Sequence, residues 1–185
     1  MTTDLKTETV LTPSQLVDAL SVLGVPFLRG GSGIATTVEP GDLLAALATS
    51  DEARLRLALI PLLLAHPEFS AYVSALRKQL SPAADAILCC YYTAAYWLQQ
   101  KHYARVLART GPIQPLPDLF GAELDLVAYT DPDAALHALS ARQQVLSGRV
   151  LNWSGTYEHA AQTWLRHLER EAQWNQLHPS RSAHS

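Results

Sequence analysis

The stretch from Ser81 to Lys101, SPAADAILCCYYTAAYWLQQK, decides the fold class of this chain. Ser81 is a residue type that caps helices, and Pro82 suits the first helical position, where no backbone N–H is needed. Apolar side chains then fall on almost every side of a helix, so the pattern predicts a helix buried all round. We expect this central helix to run to about Arg109 and to end at Gly111.

Helical patterns continue on both sides of this segment. Gln15 predicts a capping box with Thr12, and leucines after Ser50 predict a buried helix with a kink at Pro61. Helix starts are also predicted at Thr12-Pro13, Pro67 and Asp131-Pro132, and a last helix from about Thr156 to Leu177. The sequence therefore predicts a mostly all-α, compact helical domain of six to eight helices over residues 12–177. Residues 1–11 are interpreted as a flexible polar arm and residues 178–185 as a disordered tail.

Two segments interrupt the helical pattern. Residues 25–38 hold two short apolar runs around a glycine-rich turn, which predicts one small β-hairpin. Residues 112–129 hold three prolines and form a long connection. Connections of this length are often functional, and the sequence leaves open whether this one covers a pocket.

Composition excludes several classes of protein. The net charge is −3 and neither half of the chain is basic, which argues against a nucleic-acid partner and an anionic membrane. The longest apolar stretch is too short to span a bilayer, and the polar N-terminus does not resemble a signal peptide. Cys89 and Cys90 are adjacent in an apolar helix, so we expect two buried thiols and a cytoplasmic location.

The glycine-rich segment is the first candidate site. Leu28-Arg29-Gly30-Gly31-Ser32 resembles the opening signature of the nucleotidyltransferase fold, in which carboxylates that hold Mg²⁺ follow about a dozen residues later. Asp42 lies near that distance, but Leu44 stands where a second carboxylate is required. One carboxylate cannot hold a metal pair, so the simpler interpretation is a glycine turn. Gly30, Gly31, Ser32 and Asp42 remain candidate ligand-binding residues.

Other catalytic patterns are absent from the sequence. It contains no His-Glu-x-x-His, no Cys-x-x-Cys and no Gly-x-Ser-x-Gly. The seven histidines also lack the upstream arginine found in helical ribonucleases that are paired with small nucleotidyltransferases. We therefore predict no catalytic residue, no metal and no cofactor.

Aromatic residues supply the second candidate site. The tyrosines and the tryptophan between residues 91 and 97 are interpreted mainly as core, with a ligand pocket lined by tyrosine hydroxyls as the alternative. Trp153, Tyr157 and Trp174 are candidate partner-binding residues, because aromatic side chains often anchor protein interfaces.

Three stretches together carry a resemblance: residues 55–68, residues 116–124, and Leu151-Asn152-Trp153 with Gly155-Thr156-Tyr157. They resemble a group of uncharacterised bacterial helical proteins encoded beside small nucleotidyltransferases. The resemblance implies an antitoxin-like partner role and no activity of the chain's own.

Three functional hypotheses follow. The first is a non-enzymatic protein-interaction module that binds a protein partner or itself, for instance a nucleotidyltransferase in a bacterial two-gene system. The second is a small-molecule or nucleotide binder, or an enzyme, that uses the loop Gly30–Gly33. The third is a helix-turn-helix DNA regulator, which the acidic N-terminal half disfavours.

Overall fold

The computed structural model describes residues 11–178, which form helices joined by loops, with no strand among them. The helices are α1 (Pro13–Val22), α2 (Pro40–Thr49), α3 (Ala53–Leu57), α4 (Leu59–Ala65), α5 (Ser70–Arg77), α6 (Pro82–Lys101), α7 (Tyr103–Thr110), α8 (Pro132–Ser147) and α9 (Trp153–Leu177), with a 3₁₀ turn at Pro67–Phe69. The predicted mostly all-α fold is confirmed. The expectations for residues 1–10 and 179–185 lie outside the described residues.

The helix starts follow the capping signals in the sequence. Thr12 and Gln15 form the predicted capping box, with the Thr12 backbone N–H donating to Gln15 Oε1 over 2.8 Å. Ser81 accepts from the backbone N–H of its third following residue, and Asp131 does the same. The last helix begins earlier than predicted, at Trp153, because Asn152 caps it by accepting from the Gly155 backbone N–H.

Two predicted helices are each divided in two. The central helix ends at Lys101, and α7 starts after His102, whose backbone lies outside helical geometry. The leucine-rich helix is interrupted at Ala58, three residues before the predicted kink at Pro61. Pro61 thus lies in the first turn of α4, where its missing N–H breaks no hydrogen bond.

Helix α6 is the centre of the fold, as the sequence predicts. It packs against α2, α4, α8 and α9, and its middle residues from Leu88 to Ala95 are buried. Of the described helices, no single one is long and apolar enough to cross a membrane. One pair, Ala53–Ala65 with Pro67–Arg77, meets those criteria together but is bent by 109°.

The β-hairpin prediction for residues 25–38 is wrong, because the described segment contains no strand. The carboxylate of Asp18 on α1 accepts from the Ser32 backbone N–H at 3.0 Å, from the Ser32 hydroxyl at 2.5 Å and from the Gly33 backbone N–H at 3.1 Å. These hydrogen bonds occupy backbone N–H groups that would otherwise be available for pairing between the two strands of a hairpin. The loop is therefore tied to α1 instead of pairing with itself.

Candidate functional site

An apolar groove of about 780 Å³ lies between α3, the start of α6, the end of α8 and the start of α9. Short apolar side chains of α6 and larger ones of α3, α8 and α9 form its walls. The lining residues are Ala53, Arg54, Arg56, Leu57, Pro82, Ala83, Ala86, Ile87, Cys90, Tyr91, Gln143, Leu146, Ser147, Arg149, Leu151, Trp153 and Thr156. Apolar clefts between helices are common binding sites.

Two polar side chains stand on the floor of this groove. Tyr91 and Gln143 are both at least 95% buried and both line it. The Tyr157 hydroxyl donates to Gln143 Oε1, which fixes the orientation of the amide. Burial raises the pKa of Tyr91, while the neighbouring Gln143 has a smaller opposite effect. The Tyr91 hydroxyl therefore stays protonated at neutral pH and keeps its ability to donate.

The rim of the groove is positively charged. Three of its lining residues are arginines and none is Asp or Glu, although the whole chain carries a net charge of −3. Arg54 pairs with Glu52, and Arg56 donates to the Ser50 carbonyl. Arg149 is exposed and makes no ion pair within the described part of the chain. Of the three arginines at the rim, Arg149 is thus the one whose guanidinium makes no contact with an acceptor among the described residues.

An exposed apolar patch adjoins the groove at the turn between α8 and α9. Gly148 adopts a left-handed conformation and ends α8. Around this turn Val145, Val150 and Leu151 expose 75%, 88% and 49% of their surface, and Leu146 exposes 47%. Leu146 and Leu151 also line the groove. The groove together with Leu146, Val150 and Leu151 is called the α8–α9 surface, and exposed apolar surfaces of this kind mark binding sites.

The structure separates the three predicted partner-binding aromatics. Trp153 is 8% exposed and lines the floor, with its indole N–H donating to the Arg149 carbonyl. Tyr157 is fully buried, so it supports the floor through Gln143 and does not reach a partner. Trp174 is 56% exposed and stacks on His178. It lies 21 positions along α9 from Trp153, roughly 31 Å away, and belongs to no common site with it.

The predicted ligand-binding loop is closed by the chain's own carboxylate. Asp18 occupies the backbone amides of Ser32 and Gly33, and the Ser32 hydroxyl lowers the pKa of Asp18. The Asp18 carboxylate therefore occupies the backbone N–H groups that a phosphate would need as hydrogen-bond donors, and its negative charge would repel the phosphate. Gly31 lies so close to Asp18 that a Cβ atom would collide with the carboxylate. Asp42 is an exposed residue in the first turn of α2. The geometry favours an internal turn here.

A third cluster, which the sequence did not reveal, joins α5, α6 and the long connection. Ligand atoms of Asp85, Cys89 and Glu123 lie within 4.8 Å of one another. Arg77 already bridges both carboxylates, at 2.6 Å from Asp85 and 2.8 Å from Glu123. Burial raises the pKa of Cys89, which keeps it a thiol at neutral pH. The cluster is an ion-pair network, and the sequence did not reveal it because Glu123 lies 46 residues after Arg77.

Comparison of the chain with protein-family models, with curated proteins and with solved structures gives no match. The fold and site define an all-α domain with an open, cation-rimmed apolar groove.

Proposed function

We propose that this chain is a non-enzymatic protein-interaction module and that the α8–α9 surface holds its partner. The observation that carries the proposal is that Leu146 and Leu151, each about half exposed, line the groove and adjoin the exposed Val150. A small molecule confined to the groove would leave this patch in water, whereas a protein segment would cover both. Apolar patches that extend a concave site are typical of protein interfaces.

The partner to test first is a nucleotidyltransferase encoded beside this chain in a bacterial two-gene system. This choice rests on the resemblance carried by residues 55–68, 116–124 and 151–157. In that setting the chain would act as an antitoxin-like partner, and it would work by covering or ordering a surface of the enzyme.

The experiment is binding of the purified neighbouring nucleotidyltransferase to the wild-type chain and to two exposed-residue variants, measured by calorimetry. Val150→Asp places a charge on the α8–α9 surface. Leu177→Asp is the matched control, because Leu177 is 76% exposed at the far end of α9. Both variants should fold normally, since their side chains lie in water.

We expect Val150→Asp to weaken binding by about tenfold or more, because burying a valine is worth roughly 1.5–3 kcal/mol. The control should stay within about twofold of wild type. Equal affinity of Val150→Asp and wild type for the partner would show that the α8–α9 surface does not take part in the interaction. A failure of every chain to bind would leave no support for this enzyme as the partner.

The alternative function is nucleotide or small-molecule binding at the loop Gly30–Gly33. The Asp18 contacts oppose it. A thermal-shift panel of nucleotides with Mg²⁺ tests it directly, since a ligand at a hundred times its Kd adds roughly 2.7 kcal/mol to the free energy of unfolding.

A further inference from the structure

We infer that the segment that docks on the α8–α9 surface is an amphipathic α-helix with acidic residues on its flanks. This inference rests on the proposed function and states the chemistry of the partner.

The size of the groove calls for several apolar side chains at once. A cavity of roughly 150 Å³ holds one benzene molecule, and this groove is about 780 Å³. One anchoring side chain would leave most of it empty. A segment that presents a row of apolar side chains on one face fills it.

The backbone of the surrounding elements favours a helical occupant over a strand. The groove walls come from α3, α6, α8 and α9, and no strand occurs among residues 11–178. An extended peptide would find no sheet edge on which to pair its own amides and carbonyls. A helix satisfies these groups internally and offers its apolar side chains at helical spacing.

The positive charge at the rim of the groove determines which residues should stand beside the apolar stripe of that helix. Arg54, Arg56 and Arg149 line the groove without any carboxylate among the lining residues. Arg54 pairs with Glu52 and Arg56 donates to the Ser50 carbonyl, so the guanidinium of Arg149, which is unpaired among the described residues, supplies most of the positive charge. A partner with Asp or Glu beside its apolar stripe would meet these cations, whereas a partner with Lys or Arg would be repelled.

The test uses three synthetic peptides of about 18 residues, long enough for a helix of about 27 Å. They share one leucine stripe and differ only in flanking residues, which are Glu, Gln or Lys. Fluorescein-labelled peptides are titrated with the full chain and followed by anisotropy, at about 50 mM and about 500 mM NaCl. The indole N–H signal of Trp153 in NMR spectra reports whether the peptide occupies the groove.

A charge-reversed pair of variants controls for the net charge of the protein. Arg149→Glu changes the rim. Arg170→Glu makes the same change at an exposed site 17 positions beyond Trp153 on α9, roughly 26 Å away. Neither arginine makes an ion pair within the described residues.

We expect the Glu peptide to bind at least about tenfold more tightly than the Lys peptide at low salt, and high salt to shrink this difference. Arg149→Glu should remove most of the preference, and Arg170→Glu should leave it intact. Equal binding of the three peptides, or a preference unchanged by Arg149→Glu, overturns the acidic-helix inference while the proposed function stands. No binding by any peptide overturns it as well. The proposed function fails separately, if Val150→Asp leaves partner binding unchanged.

Discussion

A buried side chain of α6 makes two hydrogen bonds to the long connection between α7 and α8, and its removal gives a sharp test of the fold. Gln99 of α6 is 4% exposed. Its Oε1 accepts from the backbone N–H of Leu116 over 2.8 Å, and its Nε2 donates to the Gln114 carbonyl over 3.2 Å. The segment has no regular helix of its own, so these bonds replace the secondary structure it lacks.

The substitution Gln99→Ala removes both bonds. The Leu116 amide would then be buried without an acceptor, which costs about 1–3 kcal/mol. Gln114 is exposed, so water can replace the donor to its carbonyl and that loss is about 0.5–1 kcal/mol. The free energy of unfolding should therefore fall by about 1.5–4 kcal/mol. For a chain of this size each kcal/mol lowers Tm by about 2–4 °C.

Urea denaturation followed by circular dichroism measures this change, and hydrogen exchange of the Leu116 amide locates it. Gln100→Ala is the matched control, because Gln100 is the exposed neighbour on the same helix. The control should change the free energy of unfolding by less than about 0.5 kcal/mol. A Gln99→Ala chain as stable as the control, with its Leu116 amide still protected, would refute the reasoning.

Three further predictions concern other contacts. Gly31→Ala should lower Tm and release the loop from α1, because the new methyl group collides with Asp18. Gly41→Ala on α2 should leave Tm unchanged, since the nearest atom to its Cβ would be 3.7 Å away. Equal Tm values for the two variants would contradict the placement of the loop. Arg77 holds the pKa of Asp85 below its usual 3.8, so the ionised carboxylate stabilises the fold above about pH 4 and loses this effect as pH falls through the lowered pKa. The stability gap between wild type and Asp85→Asn in urea should therefore narrow from pH 7 towards about pH 3, and a constant gap would argue against the ion pair. Burial raises the pKa of Cys90 to about 12, so iodoacetamide at about pH 8 should label it only in denaturant, as read by mass spectrometry, and rapid labelling of the native chain would exclude a buried thiol.

The predictions that succeeded depend on neighbours in sequence. The caps at Thr12, Ser81 and Asp131 could be predicted from the sequence, because capping side chains bind amides two or three residues away. The burial of α6 was readable because apolar residues cover all its sides. Local patterns therefore defined the fold class and most helix starts.

The predictions that failed depend on contacts distant in sequence. The hairpin does not form because Ser32 donates hydrogen bonds to Asp18, which lies fourteen residues earlier in the sequence. Tyr157 was predicted to meet a partner, yet Gln143, fourteen residues earlier, holds its hydroxyl inside. The groove itself combines side chains from four helices, and no local pattern marks it. The α8–α9 turn differs from other apolar segments in that side chains such as Val150 are exposed. The sequence shows that a residue is apolar but not whether it is exposed.

In the proposed complex, the exposed patch and the groove would both have to contribute to the affinity for the partner. Covering a valine or leucine is worth roughly 1.5–3 kcal/mol, and three such residues, Leu146, Val150 and Leu151, are each about half or more exposed. Their sum is comparable with the cost of association, about 4–15 kcal/mol, so the patch alone gives little net affinity. The groove must supply the surplus through its apolar walls and its arginines. A single charge in the patch removes the contribution of one such residue, about 1.5–3 kcal/mol, and should therefore raise the Kd by about tenfold or more.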